Sequence, residues 1–218
     1  MTELQERADL DEYALDAPRL REFIEAVKAI RTSNDDPKEI IAAIRPHFAA
    51  LLADQDWLPA MYQEPHSEGG MGSGIGTWLL YRTTDGTLAL SSLVVPPGAQ
   101  TPVHDHLAWG LVGLYKGEQD EEVFVRRDDG TSDVHAELDV IARNHLRRGD
   151  FYELLPEVDI HRVKTTSDVT SVSLHLLGID NGCIWRHRFL PEEERIVPFK
   201  SGYVNVPCEQ EGAEAGSQ

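Results

Sequence analysis

The sequence is poor in features that mark several common protein classes. It holds two cysteines, Cys183 and Cys208, in 218 residues and has no C-x-x-C pair. That excludes a thiolate zinc ribbon and gives no sign of a disulfide framework, so both read as spectators in a reducing cytoplasm. Basic residues are scarce: 20 Lys and Arg face 38 Asp and Glu, for a formal net charge of −18. A field of that sign repels polyanions, so neither nucleic acid nor an anionic membrane is expected as a partner. No run approaches the roughly 18 apolar residues of a membrane helix. The acidic opening, residues 1–16, has no apolar signal-peptide core and reads as frayed. The Gly-rich stretch E-P-H-S-E-G-G-M-G-S-G-I-G lacks the G-K-[ST] of a phosphate loop and reads as a connector or lid.

What is present falls into two textures. Leu20, Phe23, Ile24, Val27 and Ile30 recur at helical spacing, and Ile40, Ile41, Ile44, Phe48, Leu51 and Leu52 form a second stripe. Asp16 with Pro18, and Asp36 with Pro37, are cap-and-start signals. Pro46 inside the second stripe predicts a kink or a split. From Thr77 the chain turns to short apolar runs broken by Asp85-Gly86, Pro97-Gly98, Asp128-Asp129-Gly130 and Asp180-Asn181-Gly182. Many short strands without helical patterns between them predict a mainly β closed barrel or sandwich. The expected organisation is a helical segment over 1–66, a connector over 67–76, a β-barrel over 77–207 and an acidic, unstructured tail over 208–218.

The chemistry concentrates in G-A-Q-T-P-V-H-D-H-L-A-W-G-L-V-G-L-Y-K-G, Gly98 to Gly117. On a strand, His104 and His106 share one face and can reach one metal ion, while Asp105 points away. A third ligand must return from a later strand, and His161, after the turn at Pro156, fits. His47, His66, His135, His145 and His187 read as surface or packing residues. Trp109, Trp185 and Tyr115 read as pocket wall or core.

These motifs resemble the cupin superfamily over roughly Thr77 to Val206. The resemblance implies a cupin double-stranded β-helix, a jelly-roll barrel, with an N-terminal α-helical layer. Within cupins, H-D-H-L-A-W-G-L-V-G, S-V-S-L-H-L, P-F-K-S-G-Y and D-W-L-P are similar to the bacterial thiol dioxygenases. These are the cysteine dioxygenase type and, more closely, the 3-mercaptopropionate and mercaptosuccinate type. That resemblance implies Fe(II) held by His104, His106 and His161, with a small carboxylate-bearing thiol and O₂ as partners and a sulfinic acid as product. Most cupins carry Glu four residues after the second histidine; here that position is Gly110. The site then has three neutral imidazoles, and a thiolate substrate can supply the missing anion. The family's Ser-x-His-x-Tyr relay survives as Ser173 and His175, with Leu177 in place of the tyrosine. A carboxylate calls for Arg, and Arg186 and Arg82 are the candidates. Two other readings stand beside this one. A zinc cupin that senses a ligand without turnover would need a fourth protein ligand. A cupin oxygenase or isomerase acting on a non-thiol would show no thiol requirement.

Overall fold

Both apolar stripes become helices, and each buries the face its spacing foretold. The computed structural model describes residues 11–67, 70–72 and 74–208. Helix α1, Pro18–Ser33, buries Leu20, Phe23, Ile24 and Val27. Helix α2, Pro37–Ala53, buries Ile40, Ile41, Ile44, Phe48, Leu51 and Leu52. Asp36 caps α2, its carboxylate accepting from the Lys38 amide at 2.9 Å. Asp16 does not cap α1. Ala17 is the N-cap there, with Pro18 beginning the helix, so Asp16 stands one residue too early and pairs with Arg21 at 2.7 Å instead. Pro46 does not split α2, which runs through it.

Twelve strands lie among the described residues, and all but the first follow the expected punctuation. They are β1 (Glu12–Tyr13), β2 (Gly76–Arg82), β3 (Ala89–Val95), β4 (Val103–His104), β5 (Gly110–Lys116) and β6 (Glu118–Arg126). Then come β7 (Leu138–Arg147), β8 (Phe151–Leu154), β9 (Ile160–Thr165), β10 (Ser171–Leu177), β11 (Arg186–Leu190) and β12 (Arg195–Phe199). They form two antiparallel six-stranded sheets, ordered β1-β2-β3-β10-β5-β8 and β12-β11-β4-β9-β6-β7. This is a mainly β jelly roll. The stretch expected to fray contributes a strand: Glu12 and Tyr13 pair with Arg82 and Tyr81. Residues 1–10, three positions of the expected connector (68, 69 and 73), and all of the expected tail except Cys208 lie outside the described residues.

Strand periodicity decides which side chains meet the helices and which face the interior. On β10, Val172, Leu174 and Leu176 join the large core shared with α1 and α2, as do Leu90 and Val94 of β3. The alternate residues of β10, Ser171, Ser173 and His175, are also buried but polar. The same strand therefore seals the helical layer with one face and equips the interior with the other. Gly113 on β5 permits the close approach of α2: a Cβ there would collide with the side chains of Leu52 and Phe48. Phe48 also packs edge-on against Phe151, centroids 5.7 Å apart.

Truncating Phe48 to Ala should cost about 3–5 kcal/mol of unfolding free energy, because a fully buried ring leaves a cavity between layers that cannot close. Urea denaturation followed by circular dichroism measures this. A loss below about 1 kcal/mol would mean that the helices are not held by this seam.

Candidate metal centre

The interior of the jelly roll brings His104, His106 and His161 together. His104 on β4 pairs directly with His161 on β9. The three ring centroids lie 4.8 to 4.9 Å from one another. One ring nitrogen from each can gather with the others inside a span of 4.8 Å. All three rings are buried.

The route to this cluster differs in one respect from the strand-face expectation. Strand β4 ends at His104, and His106 sits in the turn that follows. Leu107 there has φ 58°, a left-handed conformation that costs a branched side chain energy. Asp159 holds the turn in place. Its Oδ2 accepts from the amides of His106 at 3.0 Å and Leu107 at 2.7 Å. Burial raises the Asp159 pKa, and those two amide bonds offset the rise only in part. Asp105 does face away, toward His187 Nδ1 at 2.6 Å.

Each imidazole is oriented through Nδ1. His104 bonds the Pro102 carbonyl at 2.9 Å, His106 the Asp159 carbonyl at 3.2 Å, and His161 the Glu121 carboxylate at 2.9 Å. A ring that donates through Nδ1 leaves the Nε2 lone pair free for a metal. His161 Nε2 is buried with no hydrogen-bond partner, as a ligating atom would be without its ion. Burial, reinforced by the neighbouring His161, pushes His104 and His106 well below the usual imidazole pKa. Neutral rings are the form a metal takes. The residues therefore fit a divalent transition ion, and imidazole donors suit iron, zinc, copper or nickel alike.

No side chain can join from position 110. Gly110 pairs with Leu177 across β5 and β10, and a Cβ there would fall on the Leu176 carbonyl and the Leu177 side chain. Behind Glu121, Asn144 donates to its second oxygen at 2.9 Å. Burial would raise the Glu121 pKa, but hydrogen bonds from His161, Asn144 and Tyr152 outweigh it and hold the group below the ordinary value.

The other sequence-selected residues divide. Ser173 Oγ lies 3.0 Å from His175 Nε2. Burial, with His161 and Arg186 nearby, lowers His175 to a pKa of about 3, so its ring is neutral. Arg186 is 3% exposed and lines the same small cavity as His104, His106, His175 and Leu177. Its Nη1 donates to the Asp105 carbonyl at 2.7 Å and its Nη2 to Ser201 Oγ at 3.2 Å, while Nε has no partner. Burial lowers its pKa to about 10. Arg82 is not brought to this cavity: it pairs with Glu12 at 2.7 Å and Asp180 at 3.1 Å. Tyr115 is core, but Trp185 is 58% exposed under Lys200, against expectation. Cys183 and Cys208 are not spectators either; they form a disulfide. The bond ties down the C-terminal segment whose Ser201 and Tyr203 close the cavity.

Sequence reasoning missed Glu121, Asp159 and Tyr152. Asp159 stands two residues before His161, close enough to have been suspected. Glu121 and Tyr152 meet His161 only through strand register. A second grouping, His135 with Glu137 and Glu194, lies at the surface. There Glu137 is already paired with Arg127 at 2.6 Å.

A jelly roll that brings three buried histidines together describes a cupin-type centre, here without a carboxylate at position 110. Comparison with known families agrees: the model of cysteine dioxygenase type I matches residues 62–179, a little over half of the chain. The chain belongs to that family. Solved structures resemble it more loosely. A recombinant oxalate oxidase in complex with glycolate is 16% identical, with TM-score 0.38, over 49% of this chain and 52% of its own. The chain thus spans about half of that protein. Peruvianin-I, a cysteine peptidase from Thevetia peruviana latex, is 20% identical, with TM-score 0.41, over 59% of this chain and 75% of its own. A cupin 2 conserved barrel protein from Rhodopseudomonas palustris is 13% identical, with TM-score 0.36, over 47% and 59%. Among the described residues, no helix is long and apolar enough to cross a membrane.

Replacing His161 with Ala should abolish stable metal uptake, because two imidazoles remain of three, while the far-ultraviolet spectrum stays that of the parent. Metal content after loading and desalting reads this directly. Parental metal content in the variant would remove His161 from the ligand set.

Proposed function

We propose that this chain is a non-haem Fe(II) dioxygenase that joins both atoms of O₂ to the sulfur of a small carboxylate-bearing thiol, R–SH + O₂ → R–SO₂H. Membership of the cysteine dioxygenase family supports the reaction class. Arg186 is the observation that carries the carboxylate. A guanidinium at 3% exposure that has, among the described residues, no carboxylate partner and an unpaired Nε is costly to bury. An incoming carboxylate beside the three histidines removes that cost through charge-assisted hydrogen bonds.

A bound Fe(II), held by His104, His106 and His161, would supply the redox and Lewis-acid chemistry that O₂ needs. The chain's own residues supply position and protons. Arg186 anchors the carboxylate and so aims the sulfur toward the triad. Ser173 and the neutral His175 hold a hydrogen bond along which a thiol proton can be handed on; with a pKa of about 3 the ring relays the proton and does not keep it. Leu93, Leu177 and Met71 make the apolar wall that keeps water away. The enclosed space is about 20 Å³, room for one water-sized molecule, so a thiol acid must displace part of that wall when it binds.

Substrate choice follows from two replacements. Thr77 lines the cavity in the region where the resembled cysteine enzymes carry Arg, and Leu177 takes the place of their tyrosine. Both count against cysteine, and the second counts against 3-mercaptopropionate as well, which leaves mercaptosuccinate or a related thiol acid by elimination. The zinc-sensor reading needs a fourth protein ligand, and the crowding at Gly110 argues against one there.

Oxygen uptake by the iron-loaded protein tests the reading with cysteine, cysteamine, 3-mercaptopropionate, mercaptosuccinate and 3-mercaptolactate. Uptake with a thiol acid, matched mole for mole by sulfinate, is expected, and none with cysteamine. No uptake with any of them, in protein holding Fe(II), contradicts the proposal. Arg186→Gln should raise KM for the thiol acid about 10- to 100-fold, the worth of a charged buried hydrogen bond, and change kcat less. An unchanged KM would remove Arg186 from substrate binding.

A further inference from the structure

The three imidazoles are alike as ligands but not in what stands behind them. Two rest on neutral backbone carbonyls, those of Pro102 and Asp159. The third, His161, rests on the Glu121 carboxylate at 2.9 Å. Register builds this contact. Val123 on β6 lies directly opposite His161 on β9, and Glu121 is two residues along the same face, a diagonal neighbour. Asn144 of β7 stands directly opposite Glu121 and donates to its other oxygen at 2.9 Å. Tyr152 of β8 lies 3.1 Å from His161 Nδ1 and hydrogen-bonds Glu121.

Glu121 is 1% exposed, and its one ion-pair partner among the described residues is His161 itself. A carboxylate buried without Lys or Arg is costly unless a cation lies within reach of its field. A metal ion held on the far side of the His161 ring would be such a cation. Resting on the reading of the triad as a metal site, we propose that Glu121 is a positioning residue. It fixes the His161 tautomer and returns to the ion, through the imidazole, the negative charge that Gly110 withholds. His161 is then the most electron-rich of the three ligands. Tyr152 opposes this, since its hydroxyl draws on the same carboxylate.

The two residues therefore have opposite effects, which a merely structural role would not give. Two readouts are needed, neither of them turnover: Co(II) affinity by chelator competition, and the Fe(III)/Fe(II) potential of the iron-loaded protein. Glu121→Gln should weaken Co(II) binding about 10- to 100-fold, the usual effect of losing such a partner, and raise the potential. Tyr152→Phe should lower the potential and leave Co(II) binding as tight as the parent's or tighter. Glu121→Asp, which keeps the charge, should recover most of the affinity. Shifts of the two variants in the same direction, or Glu121→Gln within twofold of the parent at an unchanged potential, overturn the proposal while the metal site stands. If Glu121→Gln does not fold, Tyr152→Phe decides alone: a lowered potential supports the proposal and an unchanged one overturns it. A parent protein that takes up no Co(II) fails earlier, at the metal-site reading itself.

Discussion

Three imidazoles buried against one another, their ring centroids 4.8 to 4.9 Å apart, are the constraint on which the rest depends. Removing them from water costs solvation, and their free nitrogens cannot satisfy one another. Such a cluster persists only if the surrounding fold holds it rigidly or an ion sits among it. The chain does the first visibly. His104 is fixed by the β4–β9 ladder, His106 by the Asp159 clamp on a strained turn, and His161 by Glu121. The left-handed Leu107 belongs to the same segment, its amide held by the Asp159 carboxylate at 2.7 Å.

The layers serve the same end. Strand β10 is buried on both faces, and its two faces have opposite characters. Its apolar side anchors α1 and α2, so the polar side, with Ser173 and His175, is backed by the largest core in the molecule. A relay of two short side chains keeps its geometry only on such a support. The opposite wall is looser in origin: it comes from the segment after β12, returned to the cavity by the Cys183–Cys208 bond and by the Tyr203 hydroxyl on Asp180 at 2.7 Å.

Much of this was legible in the sequence, and the boundary has a physical meaning. Apolar spacing placed both helices because burial of one face is a local pattern in the chain. The H-x-H with a later histidine placed the triad because the ligand types are few and the spacing characteristic. Features fixed by register were hidden. Glu121 and His161 are far apart in the chain and meet only because β6 lies beside β9. Arg82 and Arg186 looked alike as strand arginines; only the fold shows one paired at the rim with Glu12 and Asp180 and the other turned inward without a carboxylate. The disulfide was missed because nothing in the spacing of two cysteines says that the C-terminal segment doubles back. His106 was misplaced onto a strand because alternation cannot announce a left-handed residue at Leu107.

A centre of this kind, with the carboxylate position closed by packing at Gly110, should prefer a ligand that brings its own soft anion, and a thiol does so where an alcohol does not. The most direct test is anaerobic titration of the Co(II)-loaded protein with 3-mercaptopropionate and, separately, with 3-hydroxypropionate, following the metal's visible and near-ultraviolet spectrum. The thiol should produce a sulfur-to-cobalt charge-transfer band at one equivalent, and the hydroxy acid none even in excess. Equal responses to the two, or no response to the thiol from protein that holds its Co(II), would contradict it.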